Sequence, residues 1–133
     1  MKKLMLSTLT AITLGLPMAA MADQALGNWK TSSDDEGFYY IVSIAKCDSG
    51  VCGTIKGTYD AQGKPAPQPE DGKRMIWDMK SEGNGKYEDG KIWDPLGDKT
   101  YASKMEVKGN KLKVKGCVAG GLICDTDTWT RAK

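Results

Sequence analysis

The stretch TYASKMEVKGNKLKVKG, residues 100–116, alternates apolar and charged side chains on both sides of a Gly109-Asn110 step. Tyr101, Met105 and Val107 share one face, and Leu112 and Val114 continue it. Lys104, Glu106, Lys108, Lys111, Lys113 and Lys115 share the other. A period of two with one charged face describes antiparallel strands with one side in water, and Gly-Asn is a good hairpin turn. RMIWDMK, residues 74–80, reads the same way, with Met75, Trp77 and Met79 on one face and Arg74, Asp78 and Lys80 on the other.

Further strand-like segments are FYYIVSIAK (38–46), CGTIKGTY (52–59), GKYEDGKIW (85–93) and shorter pieces at GNWKT and DTDTWTR. DAQGKPAPQPEDGK, residues 60–73, carries most of the prolines and is a loop. About eight short antiparallel strands predict an all-β fold, a small up-and-down β-barrel, because closure removes exposed strand edges. A β-sandwich of the same strands is the competitor, and alternation does not separate the two.

The first 22 residues stand outside this pattern. Lys2 and Lys3 precede an uncharged apolar run ending in Ala20-Met21-Ala22, the form of a signal peptide cleaved near Ala22. The expected mature chain is one domain, residues 23–133, in the periplasm or secreted. No second apolar stretch reaches the roughly 20 residues that span a bilayer. Loss of Lys2 and Lys3 from the 19 basic residues leaves as many as the 17 acidic ones. With no net charge and no basic cluster interleaved with aromatics, nucleic acid is excluded as a partner.

Four cysteines in an exported chain of this size read as two disulfides. Of the three connectivities, spacing favours the local pairs, Cys47 with Cys52 and Cys117 with Cys124, each across a segment containing Gly.

Little in the chain suggests chemistry. It has no His, which removes His-dependent nucleophile pairs, most zinc sites and the usual neutral-pH base. No cofactor motif or metal-ligand spacing is present. The acidic clusters SDDEG (33–37) and PEDG (69–72) read as solvated turns, and Asp94 in WDPLGD as the first residue of a hairpin turn. The expectation is therefore no catalysis. Aromatic and methionine side chains are the better candidates for a site. Met75, Trp77, Met79, Tyr101 and Met105 point inward by parity, with Trp93 on a strand of poorer alternation. An eight-stranded barrel is just wide enough to be filled by such side chains or to hold one small ligand.

Gly27-Asn28-Trp29 near the start and Trp129-Thr130-Arg131 at the end resemble the lipocalin or calycin signature. That resemblance implies that Gly27, Trp29 and Arg131 close one barrel end, with the guanidinium over the indole. LGNWKT, VSIAKCDSGVCGTI, GKIWDPLGDKTYASKMEV, LKVKGC and TWTR, in this order, resemble the exported bacterial family known as domain of unknown function 2147. The resemblance implies a lipocalin-like barrel and brings no biochemistry with it. The reading is a periplasmic, non-catalytic protein binding a small apolar or aromatic ligand at Met75, Trp77, Met79, Trp93, Tyr101 and Met105. The alternative is an envelope protein–protein interaction module, for example an inhibitor of a cell-wall hydrolase, working through the Pro-rich loop.

Overall fold

Each alternating segment forms a strand. The computed structural model describes residues 23–133, so the expected signal peptide and its cleavage site lie outside the described residues. The strands are β1 (Gly27–Lys30), β2 (Tyr39–Cys47), β3 (Gly50–Tyr59), β4 (Arg74–Gly83), β5 (Lys86–Asp94), β6 (Lys99–Lys108), β7 (Lys111–Val118) and β8 (Ile123–Arg131). They pair antiparallel in chain order into one closed barrel. The seam is short, with Trp29 opposite Arg131 and Lys30 opposite Thr130. A closed ring decides for the barrel over the sandwich.

The β6–β7 hairpin follows its sequence pattern without a slip. Lys108 pairs with Lys111 around Gly109-Asn110, and Gly109 takes φ 61°. Met105, Val107, Leu112 and Val114 are buried inside, while the lysines stand on the outer wall. The interior is completed by Trp29, Val42, Ile44, Ile55, Ile76, Met79, Tyr87 and Trp129. Each large side chain so buried contributes about 1.5–3 kcal/mol.

The pattern in β4 is corrected by the structure. Val51 pairs with Met79 and Gly53 with Ile76, so β4 spends three steps where β3 spends two. The extra residue is taken up around Asp78, at φ 51°. This bulge breaks the period of two. Ile76 and Met79 are fully buried, while Trp77 is only half-buried and pairs with the exposed Lys91 on the outer face. A second slip, between the Gly53–Ile76 and Thr54–Arg74 pairs, falls on the other side of Trp77, which therefore does not point inward with Met75 and Met79. A matching bulge in β5, with Asp89 at φ 60°, accounts for the poor alternation before Trp93.

Up-and-down connection sorts the loops by end. The links β1–β2, β3–β4, β5–β6 and β7–β8 gather at one mouth, and the tight turns gather at the other end with the segment 23–26. That second end is shut. The Trp29 indole donates to the Ala25 carbonyl at 2.8 Å, and Arg131 donates to the Leu26 and Gln24 carbonyls at 2.8 and 3.0 Å. The Arg131 guanidinium lies 4.0 Å from the centre of the Trp29 ring. Both local disulfides are present. Cys47–Cys52 closes the β2–β3 turn, and Cys117–Cys124 closes the β7–β8 link at the open mouth.

Candidate functional site

Filling side chains stop short of the open end. There the barrel holds a cavity of about 360 Å³, with an adjoining one of about 270 Å³. Met75, Asp94 and Asp127 line both. Phe38, Tyr39 and Tyr40 wall the larger one, and Ile92, Trp93, Tyr101 and Trp129 wall the smaller.

Local turn chemistry sets these walls in place. In the β1–β2 link, Asp34 accepts from the Glu36 and Phe38 amides at 2.9 Å, an Asx turn that delivers Phe38, Tyr39 and Tyr40 to the mouth. The Tyr40 amide donates to Thr31 Oγ1 at 2.9 Å. Its phenol donates to Glu70 in the Pro-rich loop at 2.7 Å. Asp71 secures the same loop, accepting from Thr58 Oγ1 at 2.6 Å and from the Gln68 amide at 3.0 Å. Across the mouth, Asp127 accepts from Ser32 Oγ and from the Trp129 indole, the latter at 2.7 Å.

The electrostatics are one-sided. Glu70, Asp94 and Asp127 are half-buried in the lining, Asp34 and Asp125 are exposed in it, and no Lys or Arg lines either cavity. Burial pushes the Tyr40 phenol well above its ordinary range, and the Glu70 hydrogen bond and charge add to that, with smaller contributions from Asp71 and Asp94. Tyr40 therefore stays a neutral donor.

The structure separates the residues that parity grouped. Met75 lines both cavities, and Trp93 and Tyr101 line the smaller. Met79 and Met105 belong to the packed core, where they fill the barrel. Trp77 lines neither cavity. Asp94 holds the turn as its sequence suggests, accepting from the Leu96 amide at 3.1 Å, and it also faces both cavities. Tyr39, Tyr40, Glu70 and Asp127 escape sequence reasoning because they lie far apart along the chain. The available signal is topological: in an up-and-down barrel alternate links share one mouth.

Among the described residues, one group brings three metal-type ligand atoms within 4.8 Å: Cys47, Cys52 and Asp78. Its two sulfurs are spent in a disulfide, so it offers no thiolate.

Three comparisons bear on this geometry. A family model described as "Uncharacterized protein conserved in bacteria (DUF2147)" matches residues 27–131. The solved structure of protein HP1028 from the human pathogen Helicobacter pylori, a protein described as belonging to the lipocalin family, is similar with a TM-score of 0.61. The two share 19% identity, over 81% of this chain and 82% of the other. No curated protein matches the sequence.

Proposed function

This chain belongs to that family of uncharacterized bacterial proteins, and we propose that it is a non-enzymatic binding protein of the cell envelope that takes a small molecule into its open mouth. The observation carrying this reading is the preformed cavity of about 360 Å³ at the end of an otherwise filled barrel. Ligand sites of about 300–1,000 Å³, mostly apolar with a few placed polar groups, are the usual form. Two disulfides in so short a chain support an oxidising compartment, periplasmic or extracellular. The non-enzymatic part rests on what the lining carboxylates already do. Asp94 and Asp34 shape turns, Asp127 holds Ser32 and Trp129, and Glu70 holds Tyr40.

The test is intrinsic fluorescence. Trp93 and Trp129 line the smaller cavity, so alkyl and aromatic probes entering the mouth shift or quench their emission, and Trp93→Phe removes part of the response. A flat titration against a broad probe set would end this reading.

A second reading is favoured by the exposed apolar side chains. Leu96, Val118, Leu122 and Ile123 are the large hydrophobics left open among the described residues; Leu96 and Leu122 stand on links at the mouth, and Val118 and Ile123 are the strand ends that flank the second of these. Such a rim suits contact with another envelope protein. That reading expects Leu122→Ser with Ile123→Ser to abolish a crosslink to a partner while leaving probe binding intact.

A further inference from the structure

Resting on the mouth as a ligand site, we propose that its ligand is an organic cation with an apolar body, an amine or quaternary ammonium held among Glu70, Asp94 and Asp127. Over residues 23–133 acidic and basic side chains are equal in number. The acidic lining is thus a segregation of charge, not a consequence of composition. No lysine lines either cavity, and five of them, Lys104, Lys108, Lys111, Lys113 and Lys115, stand on the outer face of the β6–β7 hairpin.

The negative charge of the cup is not neutralised from within. Its carboxylates meet neutral donors: the Tyr40 phenol, the Leu96 amide, the Ser32 hydroxyl and the Trp129 indole. Among the described residues the ion pair is Lys46–Asp23 at 3.1 Å, beyond the opposite end of the barrel. Half-buried charges of one sign in a concave site focus the field on whatever enters.

The spacing selects the kind of cation. A divalent metal needs several ligand oxygens together around one point. Among the described residues, three carboxylate, thiolate or imidazole ligand atoms come within 4.8 Å of one another at Cys47, Cys52 and Asp78, so Glu70, Asp94 and Asp127 do not form such a cluster. Dispersed carboxylates suit a larger cation whose charge is spread and whose body needs a wall. That wall is aromatic, and its rings already receive the chain's own ammonium groups. Lys30 Nζ sits 4.2 Å from the centre of the Tyr39 ring, and Lys73 Nζ 5.9 Å from that of Trp93. Aromatic faces beside carboxylates are the usual surroundings of alkylammonium ligands. A fatty acid would bring its carboxylate into the same field with no basic partner.

Calorimetric titration of the oxidised protein with octylammonium, octanol and octanoate tests the inference, since the three share one tail. Octylammonium is expected to bind at least about tenfold more tightly than octanoate at low salt, and to lose most of that margin in high salt. Glu70→Gln keeps an acceptor for Tyr40 and removes one charge. It is expected to weaken octylammonium about threefold and leave octanol unchanged, whereas a collapsed mouth would weaken both alike. Octanol or octanoate binding as tightly as octylammonium, or an octylammonium affinity unchanged in Glu70→Gln, overturns the cationic ligand and leaves the cup standing. Binding of none of the three, neither as heat nor as a change in the Trp93 and Trp129 fluorescence, overturns the cup itself, and the cation with it.

Discussion

The Tyr40 phenol donates to the Glu70 carboxylate at 2.7 Å, tying strand β2 to the Pro-rich loop across the rim of the cavity. Burial first, and then Glu70, raise the Tyr40 pKa above its ordinary value of 10.0. The sign of the pH effect follows. Below pH 10 the phenol is protonated in both folded and unfolded chains, and its contribution to stability is complete. Above pH 10 the unfolded chain releases the proton while folded Tyr40 retains it, so stability falls as pH rises. Tyr87, also raised chiefly by burial, acts in the same direction. Thermal unfolding measured from pH 8 to strongly alkaline conditions should show a flat region and then a decline. Tyr40→Phe should flatten the decline and cost about 1 kcal/mol at neutral pH through the lost hydrogen bond.

Arg131 performs the corresponding work at the closed end. Its guanidinium covers Trp29 at 4.0 Å and donates to two carbonyls of the segment 23–26. The stacking is worth about 0.5–1 kcal/mol at an exposed position, and charge-assisted bonds to carbonyls add to it. Arg131→Ala should lower the unfolding free energy by about 2 kcal/mol in denaturant titration. Hydrogen exchange should speed up in residues 23–26 first. Arg131→Lys should recover less than half, because an ammonium lacks the planar fork that reaches both carbonyls while lying flat on the ring.

The sequence was legible where neither strand partner slips. In β6 and β7 every step of the alternation maps onto inside and outside, so Met105, Val107, Leu112 and Val114 could be placed from parity alone. The pair at the two ends was legible only through its resemblance to the lipocalin signature, and Trp29 and Arg131 do stand opposite each other in the closing seam. Trp77 was misplaced because the register of β4 slips on both sides of it, once between Arg74 and Ile76 and once at Asp78 with φ 51°, and an aspartate announces no left-handed backbone as a glycine would. The mouth was illegible for a deeper reason. Asp34, Glu70, Asp94 and Asp127 each have an adequate local account as turn or surface residues. Only the closed topology reveals that they share one space.

Cys117–Cys124 fastens the link that carries Leu122 and leads into Ile123 at the start of β8. Closing so short a loop reduces the entropy of the unfolded chain, by about 2.5 kcal/mol on the loop-length relation. Cys117→Ser combined with Cys124→Ser should therefore lose about 2 kcal/mol of stability. Limited proteolysis should cut within residues 118–123 before any other link. Replacing Cys47 and Cys52 instead should leave those residues resistant, because that bridge lies at the other end of the barrel.

Gly90 shows how tightly the two bulged strands meet. A Cβ there would stand 2.5 Å from Met79 Sδ and 2.7 Å from the Trp77 carbonyl oxygen. The first neighbour is a flexible side chain and the second is backbone, so they yield differently. Overpacking of this kind costs about 1–3 kcal/mol, and Gly90→Ala should fall in the upper part of that range in chemical denaturation. Met79→Ala alone leaves a cavity in the core and should cost about 2–5 kcal/mol. In the double variant the new methyl gains the space of the lost thioether, yet the Trp77 carbonyl remains in its way. The combined loss should then be smaller than the two single losses added together, by about 1 kcal/mol. Strict additivity would mean that Met79 yields to the methyl at no cost, leaving the β4 backbone as the sole obstacle.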